Sequence, residues 1–452
     1  MSKLQRISDL QHSFSFLNSS ENFDLFYDRF LETDLGKIYR SIPWINLVKD
    51  FDLKESNKGT KNTFSPSGKI ALMFLKHYAC CSDKKLLEQL NGNINYQFFC
   101  DIYIGSEYLR NYKIISQIRC ELAEKLHINK LEKTLYDNWS DYIRGKHIIT
   151  TDATCYESEV RYPTDQKLLW ESVHWTYHQM KLICKLLKIK LPRTKYIKWK
   201  KRYIGYSKTR RKTFKNRRKL TQSLLWLLEK VNKELDIIEK QYNFEMTALY
   251  YKRRGIIKKI YTQQNRYFTT GVSPKNRIVS ISKSYLRPIV RGKEIKRVEF
   301  GAKVNKLQID GINFIEHISF NAFNEGTRFK STIYKAQGLT KTRVKIAGAD
   351  AIYATNKNRV FATKNTIQTD FKPKGKPSKH RKQQLQLARI ITKERATRLE
   401  GSFGKEKEHY HLKKIKAKTK KTEILWIFFG IHTANALEIG RRMHQASLQK
   451  AA

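Results

Sequence analysis

Acidic residues are scarce in this chain: 41 Asp and Glu stand against 90 Lys and Arg over 452 residues, a formal net charge of +49. Self-repulsion on that scale is usually tolerated when a polyanion neutralises it, which points to nucleic acid as a partner. The plainer reading is a Lys-biased composition that only keeps the protein soluble. Long apolar runs are also missing. The longest, Ile424 to Ile431, is far short of the roughly 20 residues of a spanning helix, so a membrane-spanning helix is not expected. The opening residues MSKLQRISDL contain no apolar stretch of the kind that directs secretion, so a cytoplasmic location is expected. The six cysteines (Cys80, Cys81, Cys100, Cys120, Cys155, Cys184) include no C-x-x-C pair and have no His at zinc-finger spacing. Neither a zinc finger nor, in that compartment, a disulfide framework is expected, and most of these side chains read as small buried apolar groups. No fixed-period repeat is visible.

What is present is enough to build cores. Hydrophobic residues make up 40% of the chain and aromatics 12%, too many for a disordered protein, and the length suits two or three domains. Residues 1 to about 140 carry apolar side chains at helical spacing. Ser65-Pro66-Ser67-Gly68 and Ser82-Asp83 read as helix starts, Asn91-Gly92 as a turn, and Ile94 to Ile104 as a resumed apolar pattern. That outline fits a DNA-reading helix-turn-helix and equally a plain helical bundle.

His147 to Thr154 is a β-branched run that predicts a buried strand containing Asp152. From about 165 to 250 the period is helical again, most clearly over Leu220 to Ile238. Between Lys188 and Lys219 lie sixteen Lys or Arg and no acid, interleaved with Tyr196, Trp199, Tyr203, Tyr206 and Phe214. Such a segment offers charges to phosphates and ring faces to bases, with Lys200, Lys201, Arg202, Arg210, Arg211, Lys212, Arg217 and Arg218 as expected DNA contacts; a solvated linker is the bland alternative. Alternation then predicts strands at Arg277 to Ser282, Glu299 to Gln308 and Phe314 to Phe320, with an Asp310-Gly311 hairpin between the last two. Further strands are expected at Arg343 to Asp350 and Thr366 to Phe371. A Lys/Pro/Gly loop follows from Lys372 to Lys379, then helices over Gln383 to Leu412 and Glu423 to Met443.

Carboxylates at the ends of apolar strands are costly unless paired or bound to metal, and Asp152 and Asp350 are the clearest cases. If their strands are neighbours, both acids emerge at one carboxyl edge, where α/β proteins build their sites. A third acid from a helix across that edge is best supplied by Glu400, with Lys407 seven residues on and within about 20° on an α-helix. Gly401 and Gly404 cost helix stability, which close approach of another backbone would explain. Three carboxylates suit Mg²⁺, or Mn²⁺, in two-metal phosphoryl transfer. By spacing alone, strand-end salt bridges explain these acids as well. Rival acids are Glu157, Asp165, Glu299, Asp310, Glu394 and Glu408, Asp310 being most simply a turn residue; Glu394, Glu406 and Glu408 are expected bystanders on the helix.

At these residues the chain resembles the DDE transposases of bacterial insertion sequences. The resemblance runs through most of its length. Ser65 to Ile104 resembles the helical N-terminal domain often found in them. Thr151-Asp152-Ala153-Thr154 with Tyr162 to Asp165 resembles the first-aspartate strand. Arg287 to Lys293 and Glu299 to Lys303 resemble the segment entering the middle strands. Gly348 to Tyr353 resembles the second-aspartate strand, and Glu400 to Gly404 with Lys407 and Tyr410 the glutamate helix.

The resemblance implies an RNase H-like α/β catalytic core and metal-dependent cleavage at transposon ends followed by strand transfer into target DNA. Asp152, Asp350 and Glu400 would be the metal-binding triad and Lys407 a phosphate contact. The implied partners are terminal inverted repeats and target DNA, bound by a homodimer or larger assembly in the bacterial cytoplasm, at the nucleoid. The expected domains are a helical one over 1–140, a core over 141–160 and 277–445, and a basic helical insertion over 161–276. One residue departs from the pattern. Relatives tend to carry Arg one turn before the Glu, where this chain has Ala396, and on an ideal helix Arg395 and Arg398 point elsewhere. Two other functions remain compatible: a nuclease that cuts without joining, and a silent DNA-binding protein derived from a transposase.

Overall fold

The computed structural model describes residues 19–55, 62–104, 108–242, 244–290, 298–374 and 381–451. MSKLQRISDL, Arg291 to Lys293 and most of the Lys372 to Lys379 loop lie outside them. Two compact units are formed. The first comprises the described residues of 1–158, 302–319 and 323–452; the second comprises those of 159–301 with 320–322.

The first unit begins with helices α1 (Ser19–Glu32), α2 (Asp34–Ser41), α3 (Trp44–Asp50), α4 (Pro66–Ala79), α5 (Asp83–Gly92), α6 (Ile94–Phe99), α7 (Lys113–Glu124) and α8 (Ile128–Trp139). The Ser65 and Ser82 hydroxyls accept the Gly68 and Lys85 amides, capping α4 and α5 where the sequence places their starts. The turn expected at Asn91-Gly92 comes one residue later, because the Asn93 side chain accepts the Asn95 and Tyr96 amides and starts α6 itself. Helix α4 is buried from Ile70 to His77, so it is a packed bundle helix with little face left for a DNA groove. Strand β1 (Ile148–Ser158) follows.

The second unit is built on α9 (Asp165–Leu186), α10 (Tyr196–Lys208), α11 (Phe214–Gln241) and α12 (Ala248–Thr270). Its core joins Leu169, Val173 and Met180 of α9 to Leu224, Leu228 and Val231 of α11. The strand expected at Arg277 to Ser282 is absent. Ile278 instead packs on Leu168 and Ile260, and its amide donates to Gln263 Oε1 at 3.0 Å, so the alternation serves packing against helices. Strand β2 (Pro288–Val290) pairs antiparallel with the first residues of β3 (Val298–Ile309).

In the first unit β3 continues antiparallel to β4 (Ile312–Ser319). The hairpin turns at Asp310 and Gly311, with φ of 49° and 80°, the left-handed pair that a tight turn demands. Helix α13 (Phe329–Thr340), strand β5 (Ile346–Ala349), helix α14 (Asn356–Lys364) and strand β6 (Gln368–Thr369) come next. Neighbours in this sheet run β4, β3, β1, β5, β6. β1 and β5 are parallel, in register from Ile148↔Ile346 to Thr151↔Ala349, and β5 and β6 are parallel too. Helix α15 (Arg381–Glu394) passes through a π-helical segment, Arg395–Glu400, into α16 (Gly401–His409). Gly348 admits α15, since a Cβ there would stand 2.5 Å from Ile391 Cγ2. Strand β7 (Lys414–Ile415) pairs with the far end of β1, and α17 (Lys420–Ala451) packs its apolar run against α2, α4, α7 and β4. Among the described residues no helix is long and apolar enough to cross a membrane.

Candidate active site

Because Thr151 lies level with Ala349, Asp152 and Asp350 are each one residue past the last paired position of neighbouring parallel strands. Asp152 accepts the Ala153 amide at 2.7 Å; burial above all, with Glu325 and Asp350 adding to it, pushes its carboxyl up to about 6. Asp350 is 43% exposed and accepts the Ala351 amide at 2.6 Å. Thr154 and Tyr156 alternate onto the same face of β1 as Asp152. Lys407 Nζ donates to Thr154 Oγ1 at 3.0 Å, and the Tyr156 hydroxyl donates to Glu406, so α16 lies over that face.

Glu400 ends the π-helical segment with its side chain 51% exposed. On an α-helix residues five apart differ by roughly 140°. In the wider i→i+5 ladder of a π-helix that offset shrinks, and the two come onto one face. The expectation that Arg395 points away from Glu400 is therefore corrected: Arg395 Nη1 lies 3.8 Å from Glu400 Oε1 and 3.8 Å from Asp350 Oδ1. Its Nε lies 3.8 Å from Oδ2 of a further acid, Asp370.

Asp370 escapes the sequence reading. Its side chain is 3% exposed, burial raises its pKa, and Oδ1 accepts the Ala349 amide at 3.0 Å, tying the end of β6 to β5. An acid between Thr369 and Phe371, at the end of the strand expected over Thr366 to Phe371, was the available signal. Glu325, which pairs with Lys303 at 2.7 Å, was equally silent.

Among the described residues no three His, Cys, Asp or Glu side chains are gathered closely enough to hold one ion. The donor set near Arg395 is nevertheless all carboxylate oxygen, the chemistry hard divalent ions prefer. Several rival acids are committed elsewhere. Asp310 takes Arg398 at 3.0 Å and Arg442 at 2.8 Å, Asp165 takes Arg277, Glu394 takes Arg398 at 3.5 Å, and Glu408 takes Lys413 at 2.9 Å. Gly401 and Gly404 face open space, with no atom within 4 Å of an added Cβ, so no approach within the described residues requires them.

Residues 348–431 match the family described as Transposase DDE domain, and residues 26–121 match the Transposase domain (DUF772). No curated protein and no solved structure matches the chain. The two family matches support a DDE transposase of an insertion sequence. The DDE match takes in Asp350, Asp370, Arg395, Glu400 and Lys407, and the other takes in α2 to α6. Asp152 lies outside both matches, and what brings it beside Asp350 is the β1–β5 register, with Lys407 of α16 bonded to Thr154 on the same face of β1.

In the second unit, Lys200, Lys201, Arg202, Arg210, Arg211, Lys212, Arg217 and Arg218 are all exposed. Their neighbouring rings are less available than the sequence suggests. Tyr196 is buried and stacked on Tyr177, with centroids 3.9 Å apart, and Trp199, Tyr203 and Tyr206 pack on the core. Arg202 covers Trp199 at 4.8 Å, Arg217 covers Phe214 at 5.4 Å and Arg218 covers Phe268 at 4.9 Å. The surface thus offers charge more than free stacking faces.

Proposed function

We propose that this transposase binds the terminal inverted repeats of its element and catalyses metal-dependent strand cleavage and strand transfer with Asp152, Asp350 and Glu400. The single observation that carries the reading is the register that puts Asp152 and Asp350 side by side, with Glu400 facing Asp350 across one guanidinium. The order β4, β3, β1, β5, β6, with β1 parallel to β5, supports an RNase H-like core.

Asp152, Asp350 and Glu400 would hold Mg²⁺ or Mn²⁺; when bound, such ions supply Lewis-acid activation of an attacking hydroxyl and stabilisation of the leaving oxygen. Lys407, fixed by Thr154, offers an ammonium to a phosphate at the same strand face. The basic residues of α10, α11 and the segment between them serve as a sequence-independent phosphate surface. The helices of the N-terminal region read the terminal repeats, and a homodimer or larger assembly holds two ends together in the cytoplasm, at the nucleoid. Incubating purified protein with labelled element ends and Mg²⁺ tests this. Nicked and joined products support it; nicks without joining would indicate a nuclease, and intact DNA a silent binding protein.

A further inference from the structure

The cation inside the acidic cluster is held in an unusual way. Elsewhere in the protein buried arginines are closely bonded: Arg254 donates to Asn232 Oδ1 at 2.6 Å and to Asp236 at 2.5 Å, and Arg119 donates to Asp83 Oδ1 at 2.8 Å. Arg395 is only 13% exposed, yet each of its three acid neighbours stands 3.8 Å away, beyond hydrogen-bond length. Among the described residues its Nε is buried without a hydrogen-bond partner. A guanidinium serving only as a structural tie would close one of these gaps, because an unmade bond at a buried donor is costly. Arg395 instead sits among Asp350, Asp370 and Glu400, balancing charge without committing to any of them.

The backbone explains the placement. Only the π-helical segment Arg395–Glu400 brings the fifth residue before Glu400 onto the Glu400 face, and π-turns are uncommon and concentrate at functional sites. We infer that Arg395 is a built-in counter-cation of the cluster, occupying the space among Asp350, Asp370 and Glu400 that a divalent ion needs, so that metal and guanidinium compete for it. The inference rests on the reading of Asp350 and Glu400 as metal ligands and adds Arg395 and Asp370 to that site. It also gives a reason for the absence of a closed three-acid cluster among the described residues. With one guanidinium among them, the acids are spaced for an organic cation, and its departure lets them draw together around a smaller, doubly charged one.

Mn²⁺ titration of the full-length, metal-free protein without DNA, followed by electron paramagnetic resonance, tests the competition. Arg395→Ala should bind Mn²⁺ about tenfold or more tightly than wild type, since a like charge leaves the site. Millimolar free guanidinium should weaken Mn²⁺ binding to Arg395→Ala and leave wild type unchanged. Arg395→Lys, which keeps a cation nearby, should fall between the two. Unchanged or weaker Mn²⁺ binding by a folded Arg395→Ala overturns the inference. Should that variant not fold, hydrogen exchange on wild type decides: Mn²⁺ should alter protection across residues 391–404, and no alteration there overturns the inference equally. Asp350→Asn and Glu400→Gln separate the two levels. If neither weakens Mn²⁺ binding, the metal-site reading itself fails; if both weaken it while Arg395→Ala does not strengthen it, only the competition fails.

Discussion

Lys306 Nζ lies 2.7 Å from Glu406 Oε1, and both side chains are wholly buried. Glu406 also accepts from the Tyr156 hydroxyl and from Asn313 Nδ2 at 3.1 Å, so one carboxylate ties α16 to β1, β3 and β4. Glu406 is thus a structural tie of its helix, apart from any effect on cleavage. Glu406→Gln should destabilise the protein by about 3–5 kcal/mol, the cost of leaving Lys306 as an unpaired buried charge. Urea unfolding measures this. The double variant Lys306→Met with Glu406→Leu should recover much of the loss, whereas Glu408→Gln, on an exposed ion pair, should change stability by less than about 1 kcal/mol.

Gly401 and Gly404 should respond in opposite senses in stability and in function. With open space at both, Ala at either position should stabilise the free protein by about 0.5–1 kcal/mol through helix propensity. If DNA approaches α16 on that side, the same substitutions should lower cleavage. Thermal melts of free protein and cleavage assays on the same samples decide it; unchanged cleavage would mean that nothing approaches there.

Acid should loosen the packing of the first unit around Trp426. The His77 and His411 rings stand 5.3 Å and 5.1 Å from it, and Arg119 stacks over it at 4.8 Å. Burial, followed by Lys76, brings His411 down to about 4, and burial drives His77 well below its usual 6.5. Both imidazoles are neutral in the folded state and more readily protonated in the unfolded one. Their stabilising contribution is therefore complete above 6.5 and is lost as pH falls from 6.5 towards 4. For His411, partly exposed, the loss should be about 1–2 kcal/mol. His411→Gln should flatten the stability profile over that window, as read by urea unfolding at pH 7 and pH 4.5.

Much of the sheet was legible because its strands carry their own signals: β-branched runs at β1, an Asp-Gly turn between β3 and β4, and apolar residues leading to Asp152 and Asp350. The helix caps at Ser65 and Ser82 were legible for the same local reason. Arg277 to Ser282 misled because burial against helices produces the same alternation as burial against a sheet. Arg395 was illegible for a different reason. Placing it requires knowing that the helix before Glu400 departs from α geometry, and no residue in Arg395-Ala396-Thr397-Arg398-Leu399-Glu400 announces a π-turn. Asp370 and Glu406 gain their roles only from partners far away in sequence, Ala349 for the one and Tyr156, Lys306 and Asn313 for the other.

The exposed basic surface of the second unit should reveal itself through salt. If Arg210, Arg211 and Lys212 contact phosphates, replacing all three with Ala should reduce the log–log salt slope of DNA binding by roughly 0.9 per side chain, for specific and random duplex alike. Fluorescence anisotropy over a salt series measures the slope. An unchanged slope would remove these residues from the DNA surface.

The triad is tested most directly by single-turnover cleavage of a terminal-repeat duplex with Mg²⁺, run with Glu400→Gln beside wild type and with a binding titration for each. Loss of one anionic ligand should slow cleavage on the order of 10²–10³-fold or more, the scale seen when a single group stabilising developing charge is removed. DNA binding, which depends on cations, should be retained or improved. Asp152→Asn and Asp350→Asn should behave alike. A Glu400→Gln protein that cuts at the wild-type rate, with Glu394→Gln or Glu408→Gln inactive, would contradict the assignment of Glu400 as the third carboxylate.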